Sequence, residues 1–274
     1  MKRCIVISAS SDIGLAVSRH WLSLGYAVSG TFRTGNADVE SLRRAGAHLV
    51  HCDVSNRKSI AAACAELMTE AAPWDVLMVA PGTQEPVGLF QDCDFDAWET
   101  SITVNFTAQM RIVHTLLPVR RMGQEPGPLV LLFAGGGTNN ATLNYSAYTL
   151  SKIALIKACE LLDAEIPDSR FAIVGPGWVK TKIHEATLRA GEKAGTNYAR
   201  TLEKLGSDTC VPMVKVIECC DWCVQAPRAV ISGRNLSLVF DAWGNPEMDR
   251  LLIQDPDMYK LRRHGNDHLI RASL

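Results

Sequence analysis

The sequence has almost no net charge and no long apolar run. With 28 Lys and Arg residues against 29 Asp and Glu residues, its formal net charge is −1, which gives no support for nucleic acid or an anionic membrane surface as a partner. Its apolar runs are far shorter than the ~20 residues that cross a bilayer. The first of them, Cys4 to Ile7, is also too short for a signal peptide. We therefore expect a cytoplasmic protein with neither nucleic acid nor membrane as a partner.

Paired cysteine motifs are missing as well. The chain has nine cysteines, an odd number, and several fall in apolar segments, as is typical of free thiols in a reducing compartment. Cys219, Cys220 and Cys223 are clustered, but neither a second CxxC pair nor a spaced histidine accompanies them. Since Cys219 and Cys223 are four residues apart on a predicted helix, they indicate buried thiols on one helix face. No metal site is predicted.

Short apolar runs alternate with helical periodicity along the chain. The first run is Arg3 to Ser8, the last is Leu236 to Asp241, and one continuous helix is predicted from Phe95 to Arg121. Because no Pro- or Gly-rich linker interrupts this alternation, the pattern predicts a single-domain Rossmann-type doubly wound parallel sheet of about seven strands, with helices on both faces. The domain is expected to span residues 1–274, with a substrate lid at about 182–211 and a polar tail at 245–274.

Tyr148 and Lys152 form the pair on which a catalytic hypothesis depends. Their four-residue spacing places both side chains on one helix face, one turn apart. A phenol beside a fixed ammonium ionises more easily, so Tyr148 is a candidate proton donor or acceptor. The alternative is an exposed tyrosine and a solvated lysine, because such a pair also occurs by chance.

The turn after the first apolar run is the candidate phosphate-binding loop. In doubly wound sheets a pyrophosphate rests here on the N-terminus of the first helix. Small residues from Ser8 to Ser11 permit a close approach of backbone to phosphate, although Gly14 is the only glycine left of the usual motif. An ordinary capped turn is the alternative.

The end of the second predicted strand bears on cofactor choice. Between Tyr26 and Gly35 there is no carboxylate to hold a ribose 2′-hydroxyl, whereas Arg33 suits a 2′-phosphate. We therefore predict NADP(H) in preference to NAD(H), against the alternative of a solvated surface arginine. Asp53 is a candidate acceptor for the adenine amino group and, equally, a cap for the following helix.

Taken together and in order, these segments resemble the short-chain dehydrogenase/reductase family from Arg3 to about Asp241. The matching segments are the Ser8–Gly14 loop, Asp53-Val54, Val79-Ala80-Pro81-Gly82, Asn105, Tyr148 with Lys152, Pro176-Gly177-Trp178-Val179-Lys180-Thr181, and Ser232-Gly233.

The resemblance implies a role for each matching residue. Tyr148 would exchange a proton with the substrate oxygen, Lys152 would hold the nicotinamide ribose and lower the pKa of Tyr148, and Asn105 would support a water-linked proton relay. Thr181 and the backbone near Val179 would bind the nicotinamide carboxamide. With Arg33 and Asp53 added, the predicted cofactor-binding set is Ser8, Ser10, Ser11, Asp12, Ile13, Gly14, Arg33, Asp53, Val54, Ala80, Gly82, Tyr148, Lys152, Pro176, Gly177, Val179 and Thr181.

Three departures from the family pattern stand out. Counted back from Tyr148, the family's usual serine falls at Gly135, and Thr138 is the residue we favour as its replacement among the nearby polar candidates, which also include Asn139, Asn140 and Ser146. In the phosphate loop, Asp12 replaces a glycine and would repel phosphate unless its carboxylate points outward. After the fourth strand, Val79-Ala80-Pro81-Gly82 replaces Asn-Asn-Ala-Gly, so the hydrogen bonds of those asparagines must be supplied by other groups.

The resulting expectation is an NADP(H)-dependent oxidoreductase that interconverts a small-molecule carbonyl and an alcohol. The stretch from Asp241 to Gly244 and the tail are similar to those of a bacterial branch associated with polysaccharide and nucleotide-sugar pathways, which suggests a sugar or nucleotide-sugar substrate. Two alternatives stay open: a catalytically silent NADP(H)-binding sensor or scaffold, and a nucleotide-sugar epimerase or dehydratase with tightly held cofactor. Apolar helix faces also favour a homodimer or homotetramer.

Overall fold

A seven-stranded parallel sheet forms the centre of the protein in a computed structural model, which describes residues 1–264. The strand order is β3-β2-β1-β4-β5-β6-β7, and every neighbouring pair is parallel. The strands are β1 (Arg3–Ile7), β2 (Ala27–Phe32), β3 (His48–His51), β4 (Val76–Val79), β5 (Leu129–Phe133), β6 (Arg170–Gly175) and β7 (Arg234–Ser237). The predicted doubly wound α/β fold is confirmed.

Helices cover both faces of this sheet. They are α1 (Asp12–Ser23), α2 (Ala37–Arg44), α3 (Arg57–Glu70), α4 (Phe95–Ile102), α5 (Ala108–Leu116), α6 (Ser146–Glu165), α7 (Glu185–Ala190), α8 (Thr196–Gly206), α9 (Met213–Gln225), α10 (Arg228–Ile231) and α11 (Pro246–Gln254). None of the helices within residues 1–264 is long and apolar enough to span a bilayer.

Two buried cores lie on the two faces of the sheet. Alternate residues of β1 point into different cores: Cys4 and Val6 pack with α1, α2 and α9, whereas Ile5 and Ile7 pack with α3, α5 and α6. This alternation follows from the two-residue period of a strand. It also explains why the strands read as unbroken apolar runs, since both of their faces are buried.

Two predicted elements end or break where the sequence pattern did not show it. The last strand ends at Ser237 instead of Asp241, because the Asp241 carboxylate accepts a hydrogen bond from the Ser237 N–H at 2.6 Å and closes a turn. The helix predicted from Phe95 to Arg121 is interrupted by a π-helical turn, Thr103–Thr107. Such wide turns occur often at functional sites.

Buried arginines fasten two helix ends to the sheet. Arg170, which is 2% exposed, donates hydrogen bonds to the carbonyls of Cys223, Val224 and Ala226 at the end of α9. Burial lowers the pKa of Arg170 to about 10. Arg234 binds the carbonyls of Leu252, Asp255 and Met258 at the end of α11 in the same manner. Both satisfy the carbonyls that a helix C-terminus leaves without partners.

Candidate active site

A cleft of about 1570 Å³ opens at the carboxyl ends of the strands. Ligands bind at this edge in doubly wound sheets. Of the predicted site residues, all line the cleft except Gly14 and Asn105, which are buried. Segments that are far apart in the sequence thus meet at one edge of the sheet. They are the loop after β1, the ends of β2 and β3, the loop after β4, the start of α6, and the segment after β6.

The candidate phosphate loop is held in shape by hydrogen bonds among its own residues. Ser11 donates to the Ser8 carbonyl at 2.8 Å and accepts from the Gly14 N–H at 3.2 Å. Ser8 adopts φ 65, a left-handed conformation that favours glycine. A side chain at Gly14 would collide with the Ser8 carbonyl. The loop therefore keeps the glycine-type backbone although only one glycine remains.

Asp12 points away from the loop. Its Oδ2 accepts a hydrogen bond from the Lys182 N–H at 2.7 Å, which joins the first turn of α1 to the segment after β6. This bond turns the carboxylate toward the segment after β6. The carboxylate nevertheless places a negative charge beside the N-terminus of α1.

Arg33 lies exposed at the end of β2 and lines the cleft. It makes neither a hydrogen bond nor an ion pair with any part of residues 1–264. Asp53 accepts hydrogen bonds from Ser55, and these bonds, followed by the nearby charge of Arg33, lower the pKa of Asp53. The cap of α3 is Asn56, so Asp53 shapes the turn before that helix and does not cap it.

Tyr148 and Lys152 lie together on α6 at the centre of the cleft. Lys152 is 4% exposed, its Nζ donates to the Phe133 carbonyl at 2.9 Å, and this nitrogen lies 5.8 Å from the centre of the Tyr148 ring. Burial lowers the pKa of Lys152 to about 8. Burial also raises the pKa of Tyr148 to about 12. Burial thus raises the pKa of the phenol, whereas the neighbouring lysine was expected to lower it.

Asn105 sits in the π-helical turn and forms a reciprocal pair with the backbone of Thr83. Its Oδ1 accepts from the Thr83 N–H and its Nδ2 donates to the Thr83 carbonyl, each at 2.8 Å. One turn further along, Gln109 donates to the Pro81 carbonyl at 2.9 Å. These two buried amides anchor the loop after β4, where the asparagines of the family pattern are absent.

The glycine run after β5 passes directly beside Tyr148. A Cβ built on Gly135 would lie 2.7 Å from the phenol oxygen, so this position has no room for a side chain. Thr138 lines the cleft but makes no hydrogen bond within residues 1–264. Thr142 also lies against the run, because its Oγ1 would be 3.1 Å from a Cβ on Gly137. Assignment of the serine's role to Thr138 stays a prediction.

The segment predicted to form a lid lines part of the cleft. Thr187 of α7 accepts from or donates to the Tyr145 hydroxyl at 2.6 Å and donates to Gln84 Oε1 at 3.0 Å. Arg189 forms an ion pair with Glu85 at 2.9 Å. The lid is therefore attached to the loop after β4 and to the residue that precedes α6.

Comparison with known proteins decides the family. The model of the family described as "short chain dehydrogenase" matches residues 2–192, which is more than half of the chain. The chain belongs to the short-chain dehydrogenase family. It is accordingly an NAD(P)-dependent oxidoreductase, and the resemblance seen in the sequence is confirmed.

Its relatives in this family are distant. An uncharacterised short-chain type dehydrogenase/reductase of Sinorhizobium fredii is 28% identical over 195 residues, which are 68% of this chain and 74% of the relative. Carbonyl reductase family member 4 of Xenopus tropicalis is 26% identical over 185 residues, or 66% of this chain and 77% of the relative. The structure of a variant actinorhodin polyketide ketoreductase with NADPH is similar in fold, with a TM-score of 0.75 and 21% identity over 89% of this chain and 97% of that one.

A nicotinamide dinucleotide fits the residues present in the cleft. A Cβ at Gly82 would lie in ordinary contact with Asn105 Oδ1 at 3.6 Å, Ile183 at 3.7 Å and Lys152 Nζ at 3.8 Å, so this glycine borders the space beside Lys152. At the phosphate loop, the N-terminus of α1 offers backbone N–H groups and a positive dipole. The set of residues and the free space therefore agree with the cofactor that this family uses.

Some contacts around the cleft carry no signal in the sequence. Gln109 was missed because a glutamine within an amphipathic helix carries no signal of its own. Tyr145 and Thr187 were missed because their contact joins the start of α6 to the lid, 42 residues apart in the chain. In neither case does a spacing rule predict the contact. Such contacts depend on how the lid folds over the sheet.

The cysteine cluster lies apart from this site. Cys219, Cys220 and Cys223 are free and buried on α9, where burial raises the pKa of the Cys220 thiol. Within the part of the chain that the structure describes, no group of three or more potential metal ligands comes together. These thiols pack against the sheet as apolar groups.

Proposed function

We propose that this dehydrogenase uses NADP(H) to interconvert a small-molecule carbonyl and an alcohol, with Tyr148 as the acid/base residue. The observation that carries the proposal is one cleft lined by Tyr148, Lys152 and Arg33, in which Arg33 has no ion-pair partner within residues 1–264. A guanidinium without a carboxylate partner suits a 2′-phosphate better than a ribose hydroxyl.

Each residue would contribute binding or proton transfer. When bound, the cofactor supplies or accepts the hydride. Tyr148, which burial keeps protonated at neutral pH, donates a proton to the carbonyl oxygen in the reductive direction. Lys152 holds ribose hydroxyls, and its ammonium favours the phenolate that Tyr148 becomes. Asn105 positions the Thr83 loop and supports proton resupply, while Thr181 and the Val179 backbone hold the carboxamide.

The experiment is a fluorescence titration of the protein with NADPH and with NADH. The wild type should bind NADPH more tightly. Arg33→Ala should weaken NADPH binding about 10- to 100-fold, the size of a lost charged hydrogen bond, and leave NADH binding unchanged. Lys215→Ala removes a charge from the exposed face of α9 and should change neither affinity. Equal affinity of the wild type for both nucleotides would overturn the NADP(H) preference.

Turnover is tested next with a panel of ketones and aldehydes, including sugars. Tyr148→Phe should bind NADPH as the wild type does and lose ketone reduction. One observation favours a second candidate, a silent NADP(H)-binding sensor or scaffold: Gly135 leaves no hydroxyl beside Tyr148. Tight NADPH binding with no turnover by the wild type of any member of the panel would support the sensor.

We also propose a homodimer or homotetramer built on α4 and α6. Leu150 and Leu161 of α6 are 53% and 51% exposed, and Phe95 of α4 is 54% exposed. Large apolar side chains at this density on adjacent helices indicate an association surface. Sedimentation analysis of wild type and Leu161→Glu would test this: the substitution should shift the protein to smaller species, and a monomeric wild type would contradict the proposal.

A further inference from the structure

Three residues from different elements form a hydrogen-bonded chain in the wall of the cleft. Tyr145 immediately precedes α6, Thr187 belongs to α7 of the lid, and Gln84 lies in the loop after β4. The Tyr145 hydroxyl lies 2.6 Å from Thr187 Oγ1, which donates to Gln84 Oε1 at 3.0 Å. Tyr145 is 4% exposed and Thr187 is 2% exposed. The hydrogen bond between Tyr145 and Thr187 is therefore shielded from water and has a fixed geometry.

The donor and acceptor roles along these hydrogen bonds determine which atoms of Gln84 can contact a ligand. A threonine hydroxyl has one hydrogen, so when Thr187 donates to Gln84 it must accept from Tyr145. Gln84 Oε1 is thereby turned toward Thr187, and both N–H groups of Nε2 remain available to donate to a ligand. Within residues 1–264 these N–H groups have no partner, and Gln84 lines the cleft half-buried. The cleft wall thus presents an oriented amide donor.

Gln84 lines the same cleft as Tyr148 and Lys152. Tyr145 precedes Tyr148 by three residues, which is about 4.5 Å along a helix axis. Gln84 follows Gly82 by two residues, and a Cβ on Gly82 would lie 3.8 Å from Lys152 Nζ. Through Thr187 and Tyr145, Gln84 is thus connected to the part of the cleft wall that carries Tyr148, and one substrate can contact both residues.

We infer that Gln84 is a substrate-binding residue whose amide donates to a second oxygen next to the reacting carbonyl, so that the substrate class is α-oxygenated carbonyl compounds rather than simple ketones. This inference rests on the proposed carbonyl–alcohol function and specifies its substrate. Thr187 acts as a positioning residue, because it fixes the orientation of the amide when the lid is in place. Hydroxyl-rich sugars belong to the same chemical class.

The test is an equilibrium one, so that it does not depend on turnover. Acetophenone and α-hydroxyacetophenone, which differ by one hydroxyl, are titrated into the protein in the presence of excess NADP⁺, with which neither ketone can be reduced. The wild type should bind the hydroxyketone about tenfold more tightly, the size of one well-made hydrogen bond to a buried site. Gln84→Leu should abolish this preference and leave the affinity for acetophenone unchanged.

Two further variants distinguish the effect of the Gln84 N–H donors from the effect of the orientation of its amide. Gln84→Glu keeps the acceptor for Thr187 but loses the N–H donors, so it should behave as Gln84→Leu does. Thr187→Val should reduce the preference by about threefold, because the amide is no longer held in one orientation. Equal affinity of the wild type for the two ketones, or equal loss of both ketones in Gln84→Leu, would overturn the inference. Separate measurement of ketone reduction with NADPH tests the proposed function, which can stand when the Gln84 inference fails.

Discussion

Gly135 and the phenol of Tyr148 lie so close that no side chain fits between them. A Cβ on Gly135 would be 2.7 Å from the phenol oxygen and 2.8 Å from two ring carbons. Contacts this short do not occur between packed atoms, so a serine here requires Tyr148 to move. The glycine at the family's serine position is therefore part of how this chain positions its tyrosine.

We expect Gly135→Ser to impair the enzyme instead of restoring a missing function. Overpacking beside Tyr148 should lower the free energy of unfolding by about 1–3 kcal/mol. Displacement of the phenol by about 1 Å should lower kcat for ketone reduction up to about a hundredfold. Urea denaturation and turnover assays measure the two effects.

Gly136→Ala is the matched control for this substitution. A Cβ at Gly136 would meet only Thr142 Oγ1, at 4.0 Å. Its stability and kcat should therefore stay close to those of the wild type. A rise in kcat in Gly135→Ser would contradict the steric explanation and show that the cleft lacks a hydroxyl it can accommodate.

Asp12 should weaken cofactor binding by its charge alone. Because its carboxylate lies beside the N-terminus of α1, it opposes a pyrophosphate at that position even while it accepts from the Lys182 N–H. Asp12→Asn keeps an oxygen acceptor for Lys182 and removes the charge. NADPH should then bind about fivefold more tightly at low salt, or by about 1 kcal/mol, with a smaller gain at high salt.

Asp96→Asn on the exposed surface of α4 controls for the change in net charge and should not alter NADPH affinity. Weaker binding in Asp12→Asn would mean that the hydrogen bond from the Lys182 N–H to a charged carboxylate is needed to hold the segment after β6 in place.

The sequence pattern was sufficient for the sheet but not for the contacts between distant segments. Buried strands such as Leu129–Phe133 are visible because both faces of a parallel sheet demand apolar residues. The spacing of Tyr148 and Lys152 is visible because a helix turn is a local property. Asn105 was found through the family pattern, yet neither the π-helical turn that carries it nor its bond to the distant Thr83 backbone is marked by a local residue pattern.

The direction of the pKa shift of Tyr148 was likewise not predictable from the sequence. From the sequence, a lysine one turn away predicts a lowered pKa. In the folded chain, burial raises the pKa of Tyr148 to about 12 and lowers that of Lys152 to about 8. The desolvation of both groups depends on how deeply α6 is packed, which no four-residue spacing reveals.

Arg170 should be among the residues on which stability depends most. Its guanidinium is 2% exposed and binds the carbonyls at the end of α9. Arg170→Met would leave those carbonyls buried without donors, so we expect a loss of about 3 kcal/mol in the free energy of unfolding. Arg170→Lys should give an intermediate loss, because an ammonium reaches fewer of the carbonyls.

Arg43→Met on the exposed face of α2 provides the comparison for Arg170 and should cost about 1 kcal/mol or less. If urea denaturation gave equal losses for Arg170→Met and Arg43→Met, the carbonyls at the end of α9 would not depend on the buried guanidinium.

The lowered pKa of Lys152 predicts how cofactor use depends on pH. A free lysine keeps its proton up to about pH 10, whereas burial lowers the pKa of Lys152 to about 8. Below about pH 8 Lys152 therefore carries its positive charge, and as the pH rises through this pKa the charge is lost. If Lys152 has its proposed roles of holding the cofactor ribose and stabilising the phenolate of Tyr148, kcat/KM for NADPH should fall above about pH 8. This parameter reports the free enzyme, the state in which the pKa applies.

Lys152→Arg separates the charge of residue 152 from other titrating groups. A guanidinium keeps its charge throughout the accessible pH range, so this variant, although less active, should show no fall near pH 8. Tyr148 does not account for such a fall, because burial raises its pKa to about 12. An unchanged fall near pH 8 in Lys152→Arg would assign the titration to another group. A flat profile of the wild type to about pH 10 would show that Lys152 keeps its proton despite its burial.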